Sequence, residues 1–348
     1  MELMVLNTDF QVVDILDDYT SLIWADRYQR YGDFEIYAPF SQSLYNKVKQ
    51  NYYLVNDQTD HIMIVEGLEI DTNSETGAHY RITGRSLESI LERRIVWTQT
   101  SVSGNLQTAI RKLINESIIS PSISARRISN FVFENSTDPR ITSLTIDTQY
   151  TGDNIYDIIS TLCETNDIGF KITLNDNNQF VFKLYSGDDR SYAQNANPYV
   201  VFSPSFENII NTNYIDNLEP WKNVTLVAGE DSGQQRVTET VGSASGLTRR
   251  ELYTDARDIQ SEKVADFRTA LRQRGLEKLA EVTKMIGFEG QVDAIRMFVY
   301  GRDFFMGDIV QIVNEYGIQG SARVTEFIYS NNETGYEQYP TFAAIQEV

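Results

Sequence analysis

The feature of this 348-residue sequence that most constrains its fold is a weak internal repeat. Residues 53–77 and 311–335 align without a gap at an offset of 258, with 7 identities in 25 positions. The identical pairs are Val55/Val313, Asn56/Asn314, Ile70/Ile328, Asn73/Asn331, Glu75/Glu333, Thr76/Thr334 and Gly77/Gly335. Each copy predicts strand, turn, strand, turn, strand. The repeat predicts two similar β-barrels built from one chain, a pattern typical of assembly proteins rather than enzymes.

A chance match is the alternative explanation of the repeat. Both copies close on an Asn-Xaa-Glu-Thr-Gly turn. Hairpins favour Asn and Gly at their turns for steric reasons, so unrelated meanders can converge on such a sequence. At this point both explanations stay open.

The local patterns between and around the copies predict an α+β fold that is mainly β. The predicted strands are 22–27, 33–37, 52–56, 62–71, 79–84, 170–174, 179–185, 224–228 and 235–240, and the predicted helices are 87–94, 106–114, 155–165 and 261–282. Gly275 lies on the apolar stripe of the last helix, which predicts that another part of the chain packs closely against it.

This order of elements predicts a chain with two insertions. Residues 1–96 form the first barrel domain, and residues 97–205 form an α+β insertion. The second barrel domain is discontinuous and comprises residues 206–229 and 291–348. A helix-containing insertion, residues 230–290, interrupts it.

Composition narrows the possible partners. The formal charge of −19 argues against a surface that binds nucleic acid, whose phosphates favour cationic proteins. No apolar run approaches the roughly 18 residues that a membrane helix needs, so we expect no membrane insertion. Residues 261–302 differ, because they carry eight Lys/Arg and six Asp/Glu. Within them Arg268, Arg272 and Arg274 are candidates for a contact with another subunit or an acidic partner, although a solvated helix explains them equally well.

The search for catalytic or metal-binding patterns finds none, so we expect no catalytic residue, cofactor or metal. His61 and His79 lack the spacing of zinc ligands, and we expect hydrogen-bonded or solvated strand histidines. Ala244 occupies the place where a nucleophile elbow needs serine. A cell-wall glycosidase that uses an Asp/Glu pair stays open because 49 acidic residues guarantee close pairs. A receptor- or carbohydrate-binding module also stays open.

The order of several short segments resembles the tail hub proteins of tailed bacteriophages, the hub part of the tail-associated lysin family. The segments are 30–36 (RYGDFEI), 65–67 (VEG), 84–94 (GRSLESILERR), 300–310 (YGRDFFMGDIV), 322–326 (ARVTE) and 335–336 (GY). The resemblance spans nearly the whole chain, and it lies in the order and spacing of the segments rather than in one motif.

This resemblance implies two barrels like the tail-tube protein in each chain, and a homotrimer that presents six of them. Such a ring would cap the six-fold tube and adapt it to a three-fold spike or fibre. The implied partners are further copies of the chain, the tail tube or distal tail protein ring, and a central spike, fibre or tape measure protein. The implied location is the virion tail after synthesis in the host cytoplasm. Because the sequence stops at Val348, we expect any lytic activity to reside on another protein.

Overall fold

The computed structural model of the protein describes residues 1–75, 77–230, 236–292, 297–333 and 335–344. Its strands, numbered in chain order, are β1 Leu3–Leu6, β2 Val12–Leu16, β3 Ser21–Arg27, β4 Asp33–Pro39, β5 Tyr53–Asn56, β6 Ile62–Asn73, β7 Gly77–Ser86, β8 Thr100–Asn105, β9 Phe131–Glu134, β10 Thr145–Tyr150, β11 Gly169–Leu174, β12 Phe180–Tyr185, β13 Val201–Phe202, β14 Ile209–Asn217, β15 Val224–Ala228, β16 Thr238–Val241, β17 Glu251–Asp255, β18 Met285–Val292, β19 Ile309–Val313, β20 Gln319–Asn332 and β21 Gly335–Ala344.

The described residues contain fewer helices than strands. The α-helices are α1 Gln42–Lys47, α2 Leu106–Ile114, α3 Pro139–Thr142, α4 Ile155–Thr165 and α5 Phe267–Ala280, and short 3₁₀ turns include Leu87–Arg93 and Ser261–Lys263. The prediction of a mainly β, α+β protein is confirmed. No helix in the described ranges is long and apolar enough to cross a membrane.

One large sheet of 13 strands organises the molecule. Its order is β14-β18-β21-β20-β3-β4-β7-β6-β5-β1-β2, and β19 pairs with both β20 and β13. Its core contains large buried side chains from both ends of the sequence, among them Trp24, Tyr80, Phe304 and Phe327. Strands from the first hundred and the last sixty residues therefore share one core. Among the described strands the sheet does not close into a barrel.

The two repeat copies fold into matching meanders, β5-β6-β7 and β19-β20-β21, each with antiparallel neighbours. Their first turns are also alike. The side-chain oxygen of Asn56 accepts a hydrogen bond from the backbone N–H two residues on, at Gln58 (3.0 Å), and that of Asn314 does so at Tyr316 (3.0 Å). Both asparagines are buried. The Asn56/Asn314 identity thus reflects one turn structure used twice, as side-chain Asn turns require.

The second strand of the repeat differs by one residue in register. Asn73 pairs with Gly77, whereas Asn331 pairs with Tyr336. Because successive side chains of a strand point to opposite faces, a shift of one residue exchanges the faces. Ile70 lies opposite the buried Tyr80 and therefore faces the same side of the sheet as Tyr80. Residue 328, which the sequence alignment matches to Ile70, faces the other side. The structural counterpart of Ile70 is therefore residue 329.

The region predicted as the first insertion packs against the first meander. Helices α2 and α4 supply an apolar core together with the β11-β12 hairpin. Ile62 and Ile64 of β6 belong to the same core, as does Leu87 of the 3₁₀ turn after β7. Helix α4 has the bounds expected from the sequence. Its first turn is capped by Asn154, whose side chain accepts from the backbone N–H of Tyr156.

A smaller unit contains β15, β16, β17 and α5. The first three form a separate sheet in the order β16-β15-β17. Strand β15 was assigned to the second barrel from the sequence but lies in this unit, and β18, assigned partly to the insertion, joins the large sheet. The predicted strand 235–240 begins outside the described residues. A Cβ at Gly275 would lie 2.6 Å from a methyl of Val241 and 2.8 Å from one of Val227, which confirms the close packing predicted there.

Candidate assembly interface

The three arginines predicted from charge lie on α5. Arg268 and Arg272 both bind the carboxylate of Glu239 on β16, at 2.7 and 2.6 Å, and two-thirds of each arginine side chain remains exposed. Arg274 is turned inward, where it pairs with Asp258 at 2.9 Å and with Glu277 at 3.7 Å. The helix therefore uses these charges within its own unit. Whether they also contact another subunit remains a prediction.

The sheet itself offers a stronger candidate, because the two halves of the chain meet in it by strand pairing. Six residues of β20 pair antiparallel with six of β3, from Glu326 opposite Arg27 to Asn331 opposite Leu22. Arg27 Nε donates to Glu326 Oε1 at 2.7 Å across this junction. This junction joins the second meander to β3, in the N-terminal part of the chain, by antiparallel strand pairing.

Two other strands, β6 and β14, have an outer edge in this sheet. Among the described strands, residues 67–73 of β6 pair only with β7, because β5 covers β6 only as far as Ile64. At the far end of the sheet, β14 is the last strand in the order. Ile70 on β6 is 47% exposed and Tyr214 on β14 is 37% exposed. An exposed apolar side chain on a sheet edge indicates a surface that another strand can cover.

A buried charge cluster lies where the first meander meets the insertion, and it consists of Asp26, His61 and Glu88. All three are almost inaccessible, with 0%, 3% and 0% exposure. His61 Nδ1 lies 3.6 Å from Glu88 Oε1. The Asp26 carboxylate accepts from Trp24 Nε1 at 2.9 Å and from Thr59 Oγ1 at 2.6 Å. Charged groups buried this deeply need partners of opposite charge. In this cluster His61 is the partner of both carboxylates.

The electrostatics of this cluster favour a charged histidine. Burial alone would lower the pKa of His61, but the carboxylates of Asp26 and Glu88 outweigh it and raise that pKa to about 9. Burial would raise the pKa of Glu88, yet the neighbouring imidazolium lowers it overall. Glu88 Oε1 also accepts the backbone N–H of Ile172 on β11 at 2.7 Å. The cluster therefore connects β3, the start of β6 and the insertion.

Sequence reasoning missed this cluster. The sequence predicted a hydrogen-bonded or solvated strand histidine at His61, but this residue lies just before β6 and is almost completely buried beside two carboxylates. Its two carboxylates are distant in sequence, so no spacing pattern marks them. His79 fits the expectation better, since its ring stacks on Tyr37 with centroids 4.8 Å apart.

A cleft of about 480 Å³ lies beside the cluster. Its lining includes His61, Lys171, Tyr185 and Asp308. Lys171 is paired with Asp60, and Arg190 Nε binds Asp308 at 2.6 Å, so the charges around the cleft are largely neutralised by one another. In the part of the chain that the structure describes, no group of three His, Cys, Asp or Glu side chains is placed to hold a metal ion. Cys163 is buried, and burial raises the pKa of its thiol well above the usual value.

Three solved structures share the fold along essentially the whole chain. The prophage tail protein gp18 of Listeria monocytogenes EGD-e is 13% identical with a TM-score of 0.58, covering 100% of this chain and 96% of that one. The 43 kDa tail protein of prophage MuSo2 from Shewanella oneidensis is 11% identical with a TM-score of 0.60, at 99% and 98% coverage. A chain of the half-lidded PdpA–VgrG complex of Francisella is 11% identical with a TM-score of 0.51, at 99% and 57% coverage.

Sequence comparison gives a family. No curated protein matches the sequence. A family model described as Siphovirus ReqiPepy6 Gp37-like protein matches residues 2–342. Together with the fold shared with prophage tail proteins, this match confirms the resemblance to bacteriophage tail proteins. Because the matched range covers nearly the whole sequence, the chain belongs to the Siphovirus ReqiPepy6 Gp37-like protein family.

Proposed function

We propose that this protein is a structural component of the phage tail, a hub of which three copies form a ring that closes the distal end of the tail tube. The observation that carries the proposal is the pair of matching meanders joined edge to edge through β20 and β3. A ring with six similar surfaces can be made from three chains only when each chain supplies two. A chain with one duplicated unit meets that requirement, and a single-copy chain does not.

The proposed ring connects a six-fold tube to a three-fold spike or fibre. One face contacts the tail tube or distal tail protein ring, and the other holds the central spike, fibre or tape measure protein. The domain division predicted from the sequence, with tube-like barrels at 1–96 and at 206–229 plus 291–348, is part of this proposal, except that β15 belongs to the small unit and β18 to the large sheet. The descriptions of the Listeria and Shewanella proteins as prophage tail proteins support a place in the virion tail. The protein would be made in the host cytoplasm before assembly.

A formal charge of −19 suits a ring through which DNA passes. An acidic channel wall repels phosphates, so the genome can move without binding. The cationic face of α5 is then available for a neighbour, and Arg268 and Arg272 are the more accessible of its three predicted contact residues. Reversing the charge of Arg268 and Arg272 together should impair assembly more than folding, as measured by light scattering and circular dichroism; Arg274 is left unchanged because it pairs with Asp258 and Glu277 inside its own unit. Normal assembly of that variant would remove the helix from the interface.

Light scattering and electron imaging of the purified protein test the proposal. We expect a particle of three 39.8 kDa chains that images as a three-fold ring with a central hole. A protein that remains strictly monomeric at high concentration would contradict it.

The non-enzymatic role has its own test against the glycosidase alternative. Purified cell wall incubated with the protein should release no sugar fragments. Release that disappears when one carboxylate is replaced would instead indicate a wall-degrading enzyme. Binding of the isolated protein to host cells would favour the receptor-binding alternative.

A further inference from the structure

The junction between β20 and β3 shows how strands of the two similar units pair within one chain. At its centre Tyr329 lies opposite Trp24. These two side chains are 1% and 0% exposed, so the junction buries its inward-facing aromatic residues completely. If the chain is built from two similar units, each unit has one strand like β20 and one like β3. The register of the sheet identifies the strand of the first unit that corresponds to β20 and the strand of the second unit that corresponds to β3.

The counterpart of β20 is β6. Tyr329 pairs with Gln338 on β21, and Ile70 pairs with Tyr80 on β7. Gln338 and Tyr80 are separated by 258 residues, the offset of the repeat. The position of Tyr329 in the second meander is therefore the position of Ile70 in the first.

The counterpart of β3 is β14. Trp24 on β3 pairs with a residue of β4, and that residue pairs in turn with Gly84 on β7. Tyr214 on β14 pairs with a residue of β18, and that residue pairs in turn with Phe342 on β21. Residues 84 and 342 are again separated by 258. The position of Trp24 in the first unit is therefore the position of Tyr214 in the second.

The two counterparts do not pair with each other within the chain: β14 is the last strand at one end of the sheet and pairs with β18, and residues 67–73 of β6 pair with β7 among the described strands. Both are exposed where their equivalents are buried: Ile70 at 47% and Tyr214 at 37%. In a second strand junction with the geometry of the first, these are the two side chains that would face each other and lose their exposure. The residues thus have the exposure, the chemistry and the position of a junction that is completed by another molecule.

We propose that the outer edge of β6, at residues 67–73, pairs antiparallel with β14 of a second copy of this chain, with Ile70 opposite Tyr214 of the second copy. This inference rests on the trimeric hub of the proposed function and gives its interface a register. Each chain then provides one receiving edge and one inserting strand, and three copies close a ring in which within-chain and between-chain junctions alternate. Closure also removes two sheet edges that would otherwise promote disordered association.

Cysteine cross-linking tests the register. Residues directly opposite each other in antiparallel strands have Cα atoms about 4.5–5.5 Å apart, within the range that a disulfide bridges. We expect a mixture of Ile70→Cys and Tyr214→Cys proteins to form a covalent dimer on mild oxidation, and the double variant to form a covalent trimer. The native Cys163 is buried and gives no background. The control is Ile70→Cys combined with Ile215→Cys, whose side chain points to the other face and should cross-link much less.

A charge substitution tests the same edge without cysteine. Ile70→Lys should weaken the trimer by more than about tenfold, because a lysine there would be buried without a partner. Since Ile70 is already half exposed in the single chain, the thermal unfolding of the monomer should not change. Met4→Lys is the matched control: Met4 is 42% exposed on β1, away from this edge, and its variant should assemble normally.

The outcomes separate the two proposals. A trimer by light scattering without the Ile70–Tyr214 cross-link would overturn the strand pairing and leave the hub standing. Equal cross-linking by the control pair would also overturn the register. Absence of any trimer at high concentration, with no cross-link in either variant, would overturn both.

Discussion

The buried cluster of Asp26, His61 and Glu88 makes a specific prediction about pH. The pKa of His61 is raised from 6.5 to about 9 in the folded protein. A folded-state pKa above the unfolded value means that the folded state holds the proton more tightly. The stabilisation is therefore complete below about pH 6.5 and is lost as the pH rises through about 9. A difference of that size corresponds to about 3 kcal/mol of unfolding free energy.

The perturbation is His61→Gln, compared with the wild type in urea unfolding from pH 6 to pH 9.5. In the wild type the unfolding free energy should fall by about 3 kcal/mol across this range. The variant should lack this slope. It should also be about 3–5 kcal/mol less stable at pH 6, because it leaves Asp26 and Glu88 without their buried cation. Trp24 is a local probe, since its indole N–H donates to Asp26 at 2.9 Å.

The sequence provides an unusually clean control for this experiment. His61 and His79 are the only histidines in the chain, so few other groups titrate in the window. His79→Gln removes a histidine whose ring stacks on Tyr37 near the surface, and it should keep the wild-type slope. Proton NMR of the two imidazoles gives the pKa values directly. A pKa of His61 at or below 6.5, or a wild-type stability independent of pH between 6.5 and 9, would refute the reasoning.

Three further predictions follow from packing and charge. Gly275→Val should destabilise the small unit by about 1–3 kcal/mol in thermal unfolding, because the added side chain meets methyl groups of Val227 and Val241; Gly275→Ala should cost less. Arg190→Met should cost about 3–5 kcal/mol by leaving the buried Asp308 unpaired, and Asp308→Asn with Arg190→Met should recover part of that loss in denaturant unfolding. Duplex DNA should show no mobility shift at low salt, and tight, salt-sensitive binding would contradict the acidic-channel proposal.

The nine strands predicted from local patterns all overlap observed strands, because the sequence signals for them are local, whereas β8, β9, β10, β14, β17 and β18 were not predicted. The repeat located three strands in each copy, since alternation and turn residues are recognised within a few positions. The same alignment misplaced Ile70 relative to Ile328, because one residue of register exchanges the faces of a strand. Identity alone cannot reveal such a shift. The pairing partners on β7 and β21 reveal it.

Helix α5 has a boundary that the sequence does encode. The sequence pattern predicted a helix over 261–282, but α5 begins at Phe267. The side chain of Asp266 accepts from the backbone N–H groups of Arg268 and Thr269, which caps the helix there. An aspartate ahead of the apolar stripe is a recognised helix start, so this boundary was predictable. The buried charge cluster was not, because its members come together only through tertiary packing.

The two insertions contact each other, and these contacts would hold the two strand edges proposed for assembly at one fixed orientation. The first insertion contacts the small unit directly: Tyr150 Oη donates to Glu277 Oε1 at 3.2 Å, and Gln149 Nε2 donates to the carbonyl oxygen of Asp258 at 3.0 Å. Tyr150 and Glu277 are each 5% exposed. The two halves of the chain are thus connected once through the β20–β3 junction and again through the insertions.

Two separate connections resist rotation in a way that one strand junction cannot. A ring closes only if the receiving edge and the inserting strand of every copy keep the same angle, and a loose angle would give open chains of subunits instead. Tyr150→Phe with Gln149→Ala should therefore leave the sheet intact but broaden the assembly, with open oligomers beside trimers in electron images. If that variant forms only closed trimers, the hydrogen bonds of Tyr150 and Gln149 do not set the angle.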